Sequence, residues 1–365
     1  MIVSNTSNDI TTTSAKPRAG KRVGCFKHCF IATKRYLHRN QTQRDAYLRL
    51  FGTFCKTRLD SAPRMAHKVR PAMEPSPSLR FAIPKGSLQE PTIELLAKAG
   101  YEVYASSRGL RPASNDPELA LYLIRAQEIG RYLGQGFIDC GITGFDWAYE
   151  NGVDLVDLAE LPYSRATTRP TRWVLVVPED SPIRTLADLE GKRIATEGVG
   201  ITQRYLKERG IHAEVEFSWG ATEVKVPDLV DAIVDVTETG SSLKANHLRI
   251  VDTLLTSYPH FYASPAAAAD PWKMEKMARI VLLLKAALGA RGKVGLKMNL
   301  PQNRLAELLL KLPSLRRPTV SQLAEDGWVA VETVIDEIVV RDMIPDLKRL
   351  GAEGIIEYPL NKLVP

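Results

Sequence analysis

The sequence predicts an α/β fold made of two strand-and-helix lobes followed by a smaller domain of different order. Three observations predict it. From Leu79 onward, short apolar runs alternate with amphipathic stretches punctuated by glycine, the pattern of a mainly parallel sheet with helices on both faces. A second such series begins at Arg172, and apolar runs at 248–255 and 260–263 then carry the chain back, so one strand leads out of the first lobe and another returns. After Gly292 the order changes to strand, helix, strand, strand, helix, strand within residues 294–359, which is a ferredoxin-like βαββαβ order.

Each element has a local reason. Residues 80–84 read as a strand ending in Lys85-Gly86-Ser87, residues 91–99 as a helix closed by Gly100, and 101–105 as a second strand. Strands follow at 120–124, 137–142 and 154–161, with helices between them at 128–133 and 146–150. In the second lobe the strands are 172–177, 192–197, 212–217 and 231–235, and a helix over 203–209 is stopped by Gly210. Residues 272–288 are strongly amphipathic, with Met277, Ile280, Val281, Leu284 and Leu288 on one stripe. The last domain reads as strands 294–299, 319–323, 328–335 and 355–359 and helices 303–312 and 340–350.

Charge separates the first 72 residues from the rest. They hold 15 Lys and Arg against 3 Asp and no Glu, whereas the remainder holds 34 basic and 39 acidic residues. The net charge of +7 therefore comes from a basic leader, expected to be disordered, and the body is mildly acidic. This argues against specific nucleic-acid binding by the body. Three origins of the leader compete: a start near Met65 or Met73, an organelle-targeting segment, or a genuine tail. Cys25, His28, Cys29 and His38 lie in it, but no second Cys/His pair completes a usual zinc spacing. Cys140 is the sole cysteine of the body, so no disulfide framework is expected and a reducing compartment fits. The most apolar run, 278–290, is interrupted by Lys285 and too short to span a bilayer.

The stretch richest in chemistry is 217–246. Its apolar core, Asp231-Ala-Ile-Val-Asp235, reads as a buried strand; Thr239-Gly240-Ser241-Ser242 follows, and Leu243 starts a helical pattern. Strand, small-residue loop and helix start form a phosphate-binding arrangement, because free backbone N–H groups and the helix's positive end converge while Gly240 permits close approach. The same pattern also serves in many α/β proteins simply to turn the chain. Three more motifs lie at strand ends: Pro84-Lys85-Gly86-Ser87-Leu88, Arg125-Ala126-Gln127-Glu128-Ile129, and Asp139-Cys140-Gly141-Ile142-Thr143-Gly144-Phe145-Asp146. In α/β sheets ligands gather at the carboxyl ends of strands, although a lone surface Lys, Arg or Gly-rich turn is commonly structural.

Taken together, Glu223-Val224, Pro227, Asp231-Ala232-Ile233-Val234-Asp235, Thr239-Gly240-Ser241-Ser242-Leu243 and Asn246 resemble the signature of the ATP phosphoribosyltransferases of histidine biosynthesis. The three strand-end motifs resemble further blocks of that family, in the same order. The departures are the absence of extra glycine-containing residues between Pro227 and Asp231, Ser87 where Arg is common, and Gln127 where a charged residue is usual.

The resemblance implies a two-lobed type II periplasmic-binding-protein-like catalytic core with a C-terminal ferredoxin-like regulatory domain, the family's long form. It divides the chain into a leader (1–72), lobe I (73–170 and 259–288), lobe II (171–258) and the regulatory domain (289–365). It implies joining of ATP, through adenine N1, to 5-phosphoribosyl 1-pyrophosphate with release of pyrophosphate, Mg²⁺ as cofactor and histidine as inhibitor. It further implies a cytoplasmic homo-oligomer of dimers or hexamers, with no membrane partner. Asp235, Glu223 and Lys85 take the catalytic roles. Asp235, Thr237, Glu238, Thr239, Gly240, Ser241 and Ser242 hold phosphoribosyl pyrophosphate. Lys85, Gly86, Ser87, Arg125, Gly141, Thr143 and Gly144 serve the nucleotide or pyrophosphate, and the metal ligands stay unassigned. The alternative from another class is a non-catalytic two-lobed solute-binding protein.

Overall fold

The computed structural model describes residues 78–105, 109–164, 169–312 and 318–364, all within the compact unit Pro75–Pro365. The expectations for residues 1–72, disorder and the Cys25/Cys29 pair included, fall outside the described residues. Three main sheets organise the chain, and a short hairpin of β2 (Val103–Tyr104) and β3 (Ala113–Ser114) accompanies them.

The first sheet has the order β4 (Leu119–Arg125), β1 (Leu79–Lys85), β5 (Cys140–Gly144), β12 (Pro259–Ala263) and β6 (Val156–Glu160). β1 runs parallel to β4 and β5. Strand β12 returns from the second lobe and lies antiparallel to both its neighbours, β5 and β6. The sheet is therefore parallel apart from this one inserted strand. Both faces are covered, which explains why β1 reads as a continuous apolar run. Phe81 and Ile83 pack with Leu95 and Leu96 of α1 (Gln89–Ala99) and with Ile280 and Leu284 of α7 (Pro271–Gly289). On the other face Ala82 meets Ile129 and Leu133 of α2 (Ala126–Gly134).

The second sheet has the order β11 (Leu248–Ser257), β7 (Thr171–Pro178), β10 (Ala232–Thr237), β8 (Arg193–Thr196) and β9 (Glu214–Phe217). Here β8 is parallel to β10 and β9, while β7 runs antiparallel to both β10 and β11, so this sheet too is parallel apart from one inserted strand. The chain leaves the first sheet after β6 and returns from β11 into β12. Two α/β lobes joined by one outgoing and one returning crossover form the type II periplasmic-binding-protein-like layout. The third sheet, β14 (Thr319–Gln322), β15 (Trp328–Asp336), β13 (Lys293–Pro301) and β16 (Glu353–Pro359), is antiparallel throughout. With α8 (Leu305–Lys311) and α9 (Glu337–Arg349) it is the expected βαββαβ domain, with its own core around Leu296, Met298, Val331 and Leu347.

Several boundaries differ from the sequence reading, each for a physical reason. The strand expected at 137–142 begins at Cys140, because Phe137 is 63% exposed and precedes the sheet. Helix α4 (Val199–Glu208) starts four residues before the expected 203. Its first N–H groups are capped from afar: the Glu150 carboxylate accepts from Gly200 (2.8 Å) and Ile201 (2.6 Å). Such a cap, supplied by α3 (Phe145–Asn151), leaves no local trace in the sequence. Strand β10 continues through Asp235 to Thr237, and α5 (Ser241–Ala245) opens two residues before Leu243. The four-residue α6 (Pro265–Ala268) and strand β3 were not anticipated.

Gly141 belongs to this packing. A Cβ there would sit 2.8 Å from Ile129 Cγ2 and 3.1 Å from Ala82 Cβ. Gly141→Ala is expected to lower stability by about 1–3 kcal/mol through overpacking. Urea unfolding checks this, and an unchanged midpoint would show that α2 shifts freely.

Candidate active site

The strand register brings the first pair of cations together. Lys85 ends β1 directly opposite Arg125, the last residue of β4. Both are exposed, and neither has an ion-pair partner among the described residues. A recess of about 300 Å³ is lined by Lys85, Gly86, Gln89, Glu90 and Arg125. Gly86 has φ 119, a conformation that suits glycine, and Ser87 beside it is exposed. A neighbouring hollow of about 450 Å³ runs from the same two cations to Tyr122, Tyr132 and Phe137.

Three residues named from the third strand-end motif have other tasks. Gly141 is buried in the packing described above. Thr143 is fully buried, and its hydroxyl donates to the Ala126 carbonyl (2.8 Å), bracing the turn that carries Arg125. Gly144 leaves room for the Asp146 carboxylate, which a Cβ would strike. All three are buried and support the rim from beneath.

The opposite rim is built by β10 and the turn before it. Asp235 accepts a 2.6 Å hydrogen bond from Thr222 Oγ1, and Thr222 is itself nearly buried. Glu223 accepts from Ser242 Oγ at 3.1 Å, tying the 222–225 turn to the loop after β10. In that loop the Gly240 N–H donates to Thr237 Oγ1 (2.8 Å), and the Thr239 and Ser241 hydroxyls lie 3.0 Å apart. Gly240 has φ 77, so the loop uses the left-handed region. The helix behind it is only five residues long, so its dipole adds little and the hydroxyls and loop backbone are the principal donors. Glu238 accepts from Ser164 Oγ at 3.1 Å, linking the loop to the outgoing crossover.

Three contacts hold the rims face to face. Gln127 Nε2 donates to Glu197 Oε1 (3.2 Å), bringing the β4 end to the β8 end. Ser164 and Glu238 form the second. The third is Asp146, 5% exposed at the start of α3: it accepts from the Trp173 indole of β7 (2.8 Å) and the Ser257 hydroxyl of β11 (2.9 Å). Burial holds its carboxyl above the usual range, and these hydrogen bonds offset only part of that shift. Trp173 pairs with Val236 in the ladder, so this junction lies beside Asp235. Thr222, Glu197 and Ser164 are not singled out by the sequence, and Asp146, which closes the third strand-end motif, gives no sign there of its role between the lobes. Only the role of Thr222 had a local signal, its place beside Glu223, since the others act across 70 or more residues or across a crossover.

A two-lobed α/β protein with cations on one rim and a hydroxyl-rich, glycine-hinged loop on the other defines a class: enzymes that grip a polyanion between two lobes. A family model described as ATP phosphoribosyltransferase matches residues 125–286, and one described as the HisG C-terminal domain matches 290–362. The chain is 56% identical over 286 residues to an ATP phosphoribosyltransferase of Chlorobaculum parvum, covering 78% of this chain and 97% of that one. A second, of Desulforudis audaxviator, is 56% identical over 287 residues, covering 79% and 99%. Among solved structures, a chain of the Thermotoga maritima ATP phosphoribosyl transferase (HisG:HisZ) complex aligns with 29% identity, 57% and 96% coverage and a TM-score of 0.49. The chain belongs to the ATP phosphoribosyltransferase family, in its long form. It is a transferase of the first step of histidine biosynthesis, and nothing favours a solute-binding role.

The Thr222 brace is testable. Thr222→Val keeps shape and removes a hydrogen bond to a charged group worth about 1.5–3 kcal/mol. We expect kcat/KM for phosphoribosyl pyrophosphate to fall about 10- to 150-fold with little change in melting temperature. Steady-state kinetics at saturating ATP give the answer, and an unchanged value would remove Asp235 from the site.

Proposed function

We propose that the 239–242 loop receives the 5′-phosphate of phosphoribosyl pyrophosphate, that Asp235 and Glu223 face the ribose hydroxyls, and that Lys85 and Arg125 neutralise the pyrophosphate. The observation that carries this reading is the convergence of Asp235, Glu223 and the loop through the Thr222 and Ser242 hydroxyls. Thr237 and Glu238 complete the loop's base, while Gly86 and Ser87 line the approach to the cations. Adenine N1 of ATP forms a bond to C1′ as the C1′–oxygen bond breaks and its electron pair leaves with pyrophosphate. The charge left on the ring is relieved by loss of a proton from the exocyclic amine. A ring nitrogen is already nucleophilic, so these residues position the reactants and manage charge, and no strong base is required.

Among the described residues there is no group of three or more His, Cys, Asp or Glu that would cage a metal. An ion carried by substrate oxygens and met through water by Asp235 and Glu223 suits such a donor set, and suits Mg²⁺ in particular. Bound there, it would shield the charge of the departing pyrophosphate.

We divide the chain into the basic leader 1–72, lobe I (73–170 and 259–288), lobe II (171–258) and a regulatory domain, 289–365, that binds histidine and lowers activity. A physical route supports the last reading. After β16 the chain returns to lobe I, where Lys362 Nζ donates to the Lys98 carbonyl at the end of α1 (3.1 Å) and the Leu363 N–H to Ala286 of α7 (2.8 Å). Helix α1 begins beside the Lys85 loop. Exposed apolar residues on the third domain, Leu310 and Ile338 at 89% and 79%, suit a homo-oligomer of dimers or hexamers. No described helix is long and apolar enough to cross a membrane. The buried thiol of Cys140, the one cysteine among the described residues, suits the cytoplasm.

Two experiments test the proposal. Gly240→Val forces a branched residue into φ 77, although the space beside it is open, so the damage comes from the backbone. Loss of two charged hydrogen bonds would cost about 3–6 kcal/mol, a factor of about a hundred to ten thousand or more in kcat/KM, with the fold retained. Asp235→Asn should likewise lower turnover by removing charge at constant shape, and near-normal kinetics in both variants would refute the loop assignment. For regulation, calorimetry should detect histidine binding by the full chain, with a coupling of about 1–3 kcal/mol, hence about five- to 150-fold inhibition. No heat at millimolar histidine would make the third domain purely structural.

A further inference from the structure

The exposed aromatic pair at the end of β9 has no part in the site described above. Trp219 is 75% exposed, the highest value among the exposed aromatic residues of the described chain, and Phe217 is 59% exposed. Their rings meet edge to face with centroids 5.8 Å apart.

Trp219 is exposed without hanging from a loose loop. Immediately before it, Ser218 is 1% exposed, its N–H donates to the Thr196 carbonyl (2.9 Å), and its hydroxyl accepts from Lys225 Nζ (2.6 Å). Three residues after it, Thr222 is 5% exposed and bonded to Asp235. Between these anchors Gly220 and Ala221 both take left-handed backbone, with φ 60 and 47. Such a turn at a non-glycine residue is uncommon and holds the indole outward at a defined place. The place is the carboxyl-end rim of the second sheet, on the same short segment as Glu223. An indole kept in water at a fixed position, next to a site whose second substrate carries a flat aromatic base, has an evident partner.

The chemistry selects the same side. Displacement at C1′ requires the attacking nitrogen and the departing oxygen to lie on opposite faces of the carbon. On the reading above, pyrophosphate leaves toward Lys85 and Arg125 on the first sheet, so the adenine ring approaches from the other rim. Among the residues ending β8, β9 and β10, the aromatic ones are Phe217 and Trp219. We propose that Trp219, steadied by Phe217, stacks on the adenine of ATP and sets its angle of attack, making it a specificity-determining residue of this transferase. This rests on the assigned orientation of phosphoribosyl pyrophosphate.

The test combines equilibrium binding with kinetics on the full chain. In the wild type, ATP alone should quench tryptophan fluorescence. Trp219→Ala should weaken ATP binding and raise KM for ATP about 5- to 150-fold, the worth of stacking one base, while KM for phosphoribosyl pyrophosphate stays put. Trp219→Phe should recover most of the affinity yet lose the quench, a rescue that a role in packing alone would not produce. Equal ATP binding in wild type and Trp219→Ala overturns the proposal whether or not the protein turns over. So does a smaller assembly by light scattering with both KM values unchanged, which would make Trp219 a subunit contact. If Trp219→Ala alters only KM for phosphoribosyl pyrophosphate, the stacking assignment is wrong. Turnover by the wild type reports on the transferase reading separately.

Discussion

A carboxylate buried between two lobes governs the geometry of this protein. Asp146 opens α3 on the first lobe, yet its oxygens are satisfied by Trp173 and Ser257, which belong to the outgoing and returning strands of the second. A buried acid without donors would cost several kcal/mol, so the lobes retain this contact or expose the group to water. Trp173 in turn lies beneath Gly198, where a Cβ would come within 2.6 Å of the indole, and pairs with Val236 next to Asp235. Gln127 with Glu197 and Ser164 with Glu238 secure the rim at two further points. The carboxyl ends of two separate sheets thereby face one cleft.

On the proposed assignment, that arrangement handles the charge of a substrate with phosphates at both ends. One rim offers Lys85 and Arg125, adjacent in the β1–β4 register and free of ion pairs among the described residues. The other offers hydroxyls, a left-handed glycine and two carboxylates whose positions are fixed by Thr222 and Ser242. Asp139, by contrast, is held in structural contacts. Burial would raise the Asp139 carboxyl, but hydrogen bonds from Arg80 and Lys273 more than offset it and hold the group below its usual range. Asp139 thus joins β1 to α7 and is not available for chemistry.

Much of this was legible in the sequence because the signals were local. The βαββαβ order, the stripe on α7 and the 231–243 block all depend on residues a few positions apart, and each appears where periodicity and loop chemistry place it. What escaped the sequence acts at a distance. Glu150 caps a helix some fifty residues on, and β12 enters its sheet antiparallel because the chain returns from the other lobe. Gly141 and Thr143 looked like ligand contacts, since a Gly-x-Thr-Gly run has the composition of a binding loop. The packing of Ile129 and Ala82, and the hydroxyl bond to Ala126, add a supporting role that the sequence does not display.

The central claim is that the two rims divide the substrate, phosphate to the 239–242 loop and pyrophosphate to Lys85 and Arg125. The most direct measurement is a crystal structure of the protein with phosphoribosyl pyrophosphate and Mg²⁺. The account predicts 5′-phosphate oxygens within about 3 Å of the loop's N–H and hydroxyl groups, with the ribose hydroxyls turned to Asp235. A 5′-phosphate seated on Lys85 and Arg125, with the 239–242 loop making no contact to substrate, would contradict it.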